Sequence, residues 1–315
     1  MFPLRTTNAQ NIGARPYQED CFSILEGDVD TPEQDRCLAV VIADGMGGLA
    51  HGDVASRRAV QAFGESFQAR AVGTTLAHAL TRSLLDANEA VRREAAARSL
   101  PGQMGTTFIA AAVRNGCLYY VSTGDSGLFL VRGGEIRRLN VAHVFGEYLD
   151  HQVERGELAE DLAMSHPQRE ALTSFIGMDQ APEIDRMEAP LELREGDVVV
   201  LATDGLFKTL SLAQMRAALA ETGDPAEALV RRALTLGLPQ QDNVTVVAIL
   251  CGESRRDEPG AMREQEQEET AEMRRPSLPV ESVPAPDSVT ARPRSGWMLW
   301  CLAALLAVTL FYLLR

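Results

Sequence analysis

The chain has 315 residues, of which 45% are hydrophobic and 23% charged. That is enough apolar content for one sizeable globular domain with extensions, and it excludes a chain disordered throughout. Thirty Lys and Arg against 44 Asp and Glu leave a net charge of −14; so acidic a chain repels a nucleic-acid backbone, and no nucleic-acid partner is expected. The five cysteines, Cys21, Cys37, Cys117, Cys251 and Cys301, are odd in number and widely spaced. They read as small apolar side chains in a reducing compartment, not as a disulfide or zinc framework. The N-terminus lacks the apolar run of a secretory signal.

In chain order, Asp20 opens a first apolar run, and residues 37–43, 106–113, 117–122, 127–131, 198–202 and 244–250 are further short runs rich in β-branched residues, each read as a buried strand. Ala55, Ala59, Phe63 and Phe67 recur at helical spacing, as do Leu76, Leu80, Leu84, Ala87 and Val91, which predicts two amphipathic helices before the second strand group. Arg114-Asn115-Gly116 between two apolar runs predicts a hairpin. Shorter helices are expected over 212–219 and over 226–236, the latter capped by Asp224 with Pro225 in its first turn. Strand clusters split by helix pairs, with hairpins in place of regular crossovers, favour an α+β layered sandwich over a doubly wound sheet.

The working domain is expected to span 1–251. Over 252–296 the periodicity stops and proline, glutamate, glutamine and arginine take over, which reads as a flexible linker. Residues 297–314 then run for eighteen positions without a charge, with Trp297, Trp300 and Tyr312 near the ends. A helix of that length rises about 27 Å, close to the hydrocarbon thickness of a bilayer, so a transmembrane helix is expected. Arg292 and Arg294 precede the span and only Arg315 follows it; the positive-inside bias places the preceding domain in the cytoplasm, on a single-pass C-terminal anchor in the cell membrane.

Aspartates repeatedly stand at the ends of the apolar runs. Asp44 closes one and is followed by Gly45-Met-Gly-Gly48, Asp125 follows Tyr120-Val-Ser-Thr-Gly124, Asp204-Gly205 closes another, Asp242-Asn243 precedes the last, and Asp20 follows Glu19. Taken singly, an Asp-Gly at a strand end is a turn. Several carboxylates brought to one edge of a rigid sandwich would repel one another without a cation, and hard oxygen donors in that number suit Mg²⁺ or Mn²⁺ and not zinc.

Arg15-Pro-Tyr-Gln-Glu-Asp20, Asp44-Gly-Met-Gly-Gly48, Gly105-Thr-Thr107, Gly124-Asp-Ser126, Asp204-Gly205 and Asp242-Asn243 occur in one order over residues 10–250. In this ordered set the chain resembles the PPM family, the PP2C-type metal-dependent protein serine/threonine phosphatases, in their bacterial form. The resemblance implies a four-layer α-β-β-α sandwich of two antiparallel sheets flanked by helices, with a flap over 144–169. It implies a centre of two Mn²⁺ or Mg²⁺ ions: Asp44 bridging them, the carbonyl of Gly45 on one, Asp204 and Asp242 on the other, and Asp20 acting through a water. Asp125, with Asp204, would contribute to a third, weaker site. Arg15 would hold the substrate phosphate, a role to which a planar two-pronged donor is suited.

The activity so implied is metal-dependent hydrolysis of phosphoserine and phosphothreonine in proteins by water activated between two ions, from a membrane-tethered cytoplasmic domain. The expected partners are a phosphoprotein substrate, a serine/threonine kinase or its targets, and the membrane. The alternative is a catalytically weak membrane-bound module that binds or regulates phosphoproteins. Four departures from the family pattern stand in the sequence: Gln18 for asparagine, Met46 where many eukaryotic members carry a histidine, Gly127 for arginine, and Ala142-His143-Val144 for Asp-His-Ser. His51 and His143 are read as surface or packing residues, not as acid catalysts.

Overall fold

The apolar runs become strands, and the polar N-terminal segment adds one. In a computed structural model, residues 2–27, 37–46, 49, 51–187, 189–221 and 223–252 are described. In chain order they form β1 (Leu4–Asn11), β2 (Asp20–Glu26), β3 (Leu38–Asp44), α1 (Gly52–Gln68), α2 (Leu76–Ala97), β4 (Phe108–Arg114), β5 (Cys117–Thr123), β6 (Gly127–Arg132) and β7 (Glu135–Arg138). There follow α3 (Phe145–Glu154), α4 (Glu160–Met164), β8 (Asp185–Arg186), β9 (Leu191–Glu192), β10 (Val198–Ala202), the single turn α5 (Asp204–Phe207), α6 (Leu212–Leu219), α7 (Pro225–Thr235) and β11 (Val244–Cys251).

Two antiparallel sheets result. One has the order β1-β11-β10-β6-β7, the other β2-β3-β4-β5-β8, with β9 also paired to β5. Along β3, Ala39, Val41 and Ala43 pack with Phe63, Phe67, Leu80 and Leu84 of α1 and α2, while Val40 and Ile42 face the other sheet. Along β10, Val199 and Leu201 join that inter-sheet core, and Val200 and Ala202 pack with Met215, Leu229 and Ala233 of α6 and α7. The layers therefore run helices, sheet, sheet, helices. Side chains alternate across a strand, so a strand covered on both faces is apolar at every position; this is why the central strands read as unbroken runs.

Local signals terminate the elements as expected. Asn115 and Gly116 adopt φ of 54° and 75°, and Arg114 pairs with Cys117 across a two-residue turn of the kind that matches strand twist. Asp224 caps α7 by accepting from the N–H groups of Ala226 and Glu227, with Pro225 in the first turn, and Ser211 and Gln214 form a reciprocal capping box on α6. No disulfide joins the described cysteines; Cys37 and Cys251 are buried, and Cys21 and Cys117 half-buried.

Among the described residues no helix is long and apolar enough to cross a membrane. The expected linker beyond Gly252, the apolar span 297–314 and Cys301 lie outside the described residues.

Candidate active site

The register of β2 on β3 places Asp20 directly opposite Asp44, two like charges on neighbouring strand ends. Asp44 is held by its main chain: its N–H donates to Thr107 Oγ1 at 3.1 Å, and its carbonyl accepts from Thr106 Oγ1 at 2.8 Å and from the N–H of Thr107 at 2.9 Å. The Thr106-Thr107 pair thus fixes the strand end that carries the carboxylate. No described residue hydrogen-bonds the Asp44 carboxylate itself.

Asp20 ties the two sheets together. Its Oδ2 accepts from Thr203 Oγ1 at 2.9 Å and from Thr245 Oγ1 at 2.6 Å, both from the opposite sheet, while its Oδ1 is buried with no partner. Gln18 Oε1 accepts from the N–H of Asp20, so the glutamine that stands for asparagine caps the strand start.

Asp204 and Asp242 are brought together by backbone packing. A Cβ on Gly205 would lie 2.0 Å from the Asn243 carbonyl oxygen, so only glycine lets the two chain segments approach. Gln241 Nε2 donates to the Gly205 carbonyl across the same gap. Asn243 also accepts from the Glu19 N–H and donates to the carbonyls of Ile12 and Tyr17, which ties down the loop that carries Arg15. Arg15 Nη2 donates to Asp242 Oδ2 at 2.7 Å, and this bond holds its guanidinium pKa above the ordinary value.

Asp125 lies in the β5–β6 connection with its carbonyl accepting from Arg138 Nη2 at 2.7 Å. Lys208, at the end of α5, donates to Asp204 Oδ2 at 2.7 Å and to Asp125 Oδ2 at 3.2 Å. Arg15, Glu19, Asp44, Gly45, Met46, Asp125, Glu170, Asp204, Lys208 and Asp242 line one cleft, and Asp20 lies buried behind it. Among the described residues no three His, Cys, Asp or Glu side chains stand close enough to share one ion; Lys208 stands between Asp125 and Asp204, and Arg15 is paired with Asp242.

The electrostatics of this cluster are those of crowded, buried carboxylates. Burial, with a smaller contribution from Asp204 and Asp242, raises the Asp20 carboxyl to about 7 against the stabilising Thr245 and Thr203 bonds. Burial and the charges of Asp20, Asp204, Asp125 and Asp242 hold Asp44 well above the usual carboxylate range. Burial and Asp204 raise Asp125 also, with Lys208 opposing them. Fixed carboxylates that cannot all ionise side by side take up either protons or cations. An all-oxygen donor set with one orphaned buried oxygen and a backbone carbonyl at a glycine fits a hard divalent ion.

Four contributors were not legible as such in the sequence. Lys208 stands out there only as the sole lysine, although its position four residues after Asp204 on a helical turn is a sequence signal for a pair. Glu19 lies inside the Arg15–Asp20 motif with no role assigned to it, and the inter-sheet threonines Thr203 and Thr245 carry no motif of their own. His51 is exposed at the start of α1. His143 is half-buried with Nδ1 accepting from the Gly124 N–H at 3.2 Å, and burial lowers its pKa.

A double antiparallel sandwich with helices outside is also the fold of solved serine/threonine phosphatases. The chain is similar to the S. agalactiae serine/threonine phosphatase, with a TM-score of 0.66 and 27% identity over 79% of this chain and 99% of that one. It is also similar to the catalytic domain of the serine/threonine protein phosphatase PstP in complex with two manganese ions, with a TM-score of 0.61 and 28% identity over 79% of this chain and 99% of that one. In sequence it is 27% identical over 242 residues to the serine/threonine phosphatase stp of Listeria innocua, across 75% of this chain and 90% of that protein. The protein phosphatase 2C family matches residues 26–235. The chain belongs to this family, the PP2C-type or PPM serine/threonine phosphatases, which are metal-dependent and use Mn²⁺ or Mg²⁺.

Proposed function

We propose that this chain hydrolyses phosphoserine and phosphothreonine in proteins at the acidic cleft. The observation that supports it most is the placement of Asp44, Asp204 and Asp242 around one cleft, with Asp20 behind them and Arg15 on the rim. Two Mn²⁺ or Mg²⁺ ions bound there would neutralise the phosphomonoester and make a water nucleophilic at neutral pH. Asp44, Asp204, Asp242 and the Gly45 carbonyl would hold them, and Asp20 would act through a water.

Arg15 presents a planar donor to the phosphate, sharing with it the guanidinium that now meets Asp242. The threonines on Asp20 and on the Asp44 backbone hold the strand ends that carry the carboxylates. Met46 has no proton to give, so the leaving serine or threonine oxygen would take its proton from water or from another group. No phosphoenzyme is needed.

The purified full chain is expected to release phosphate from a phosphopeptide with Mn²⁺ and to stop in EDTA. No release with any divalent ion would turn the reading to a phosphoprotein-binding module. Arg15→Ala is expected to lower kcat/KM about 10- to 100-fold, the worth of a charge-assisted hydrogen bond; an unchanged value removes Arg15 from the phosphate site.

The domain would work from a membrane, held by the apolar span 297–314 through the linker 252–296, close to a kinase or its targets at raised effective concentration. Cell fractionation checks this: the full chain should sediment with membranes and a chain ending at residue 296 should not.

A further inference from the structure

The place that the resemblance gives to a third ion is filled by a side chain. Lys208 Nζ lies 2.7 Å from Asp204 Oδ2, 3.2 Å from Asp125 Oδ2 and 3.6 Å from Glu170 Oε2. We propose, building on the two-ion reading above, that the Lys208 ammonium takes the place of a third divalent ion, so that Asp125 and Asp204 are closed to one.

Geometry and charge carry the argument. A hard divalent ion binds carboxylate oxygens at about 2.0–2.6 Å, which puts it in the same gap as the ammonium, and two cations cannot share that gap. The carboxylate pair has little freedom to move away. Asp125 is 6% exposed, with its carbonyl held by Arg138 Nη2, and Asp204 starts the short helical turn from which Lys208 itself projects. The ammonium is therefore delivered by the same turn as one of its two partners, four residues on. Asp204 Oδ1 has no hydrogen bond to any described residue, so one oxygen of that carboxylate is not engaged by Lys208. Glu170 is the residue just past the expected flap, so the same ammonium also links the flap end to the cleft, by a cation that no chelator removes.

The test is the number of Mn²⁺ ions bound per full-length chain by equilibrium dialysis at millimolar Mn²⁺, with circular dichroism as the check on folding. Lys208→Ala should bind one Mn²⁺ more than wild type, and the double variant Lys208→Ala with Asp125→Asn should lose that extra ion; Lys208→Ser serves as a second variant should Lys208→Ala fail to fold. No gain in a folded Lys208 variant overturns the inference, as does a wild-type ion that Asp125→Asn removes. The difference between variant and wild type reads this inference alone, whereas the number bound to wild type reads the two-ion proposal. A wild-type chain that binds no Mn²⁺ would defeat that proposal and leave the comparison intact.

Discussion

Asp204→Asn and Asp242→Asn should each lower Mn²⁺-dependent phosphopeptide hydrolysis by about 10³-fold while leaving the chain folded. The size follows from what the carboxylates would do: removing one group that stabilises charge in a transition state costs about 10²–10³ in rate, and here the same group also holds an ion. The amide keeps the volume of the carboxylate. The close packing that joins the two segments is between the Gly205 and Asn243 backbones and is untouched by either change. Asp204→Asn also loses a charge beside Lys208, and Asp242→Asn one beside Arg15, both at partly exposed pairs of small worth to stability. Steady-state rates with thermal unfolding as control decide the matter. A rate near wild type in either variant would falsify its place in the centre.

Stripped of metal by EDTA, the protein should melt at lower temperature as pH rises from about 5 to about 8, and Mn²⁺ should remove that slope. The sign comes from Asp20 and Asp44. Burial raises the folded Asp20 carboxyl from 3.8 to about 7, and Asp44 is shifted the same way. Between the unfolded and folded values the native state binds more protons than the unfolded chain, so the stability is full below the lower value and is lost as pH rises through the upper one. For a combined loss of about 2 kcal/mol or more, a domain of this size would drop by about 4–8 °C. With Mn²⁺ bound, the carboxylates are ionised and neutralised across the range, and ligand binding raises the melting temperature further. Equal melting temperatures in EDTA and Mn²⁺ at the upper pH would count against a cation site at these residues.

The layered fold was legible because the central strands are covered on both faces. Unbroken apolar runs such as 198–202, the Asn115-Gly116 turn and the Asp224-Pro225 helix start are local signals, and each appears in the structure close to where it is read. β1 was not legible. Leu4–Asn11 is mostly polar and pairs only with β11, so its identity as a strand depends on a partner more than 200 residues away. Likewise α3 and α4 have few buried residues, Gly146 and Leu149 in one and Ala163 in the other, and no strong apolar stripe marks them.

Which residues are candidates for the chemistry was legible in the sequence alone, because strand-ending aspartates beside glycines mark themselves by neighbour and spacing. How they act on one another was decided only by the tertiary structure. The pairing of β2 with β3 sets Asp20 against Asp44, the contact of Gly205 with Asn243 draws Asp204 to Asp242, and two threonines from the second sheet bind the buried Asp20. Lys208 is the clearest case. In the sequence it is one lysine among 29 arginines; in the fold it is the cation between two carboxylates, because burial and distance turn a composition into a field.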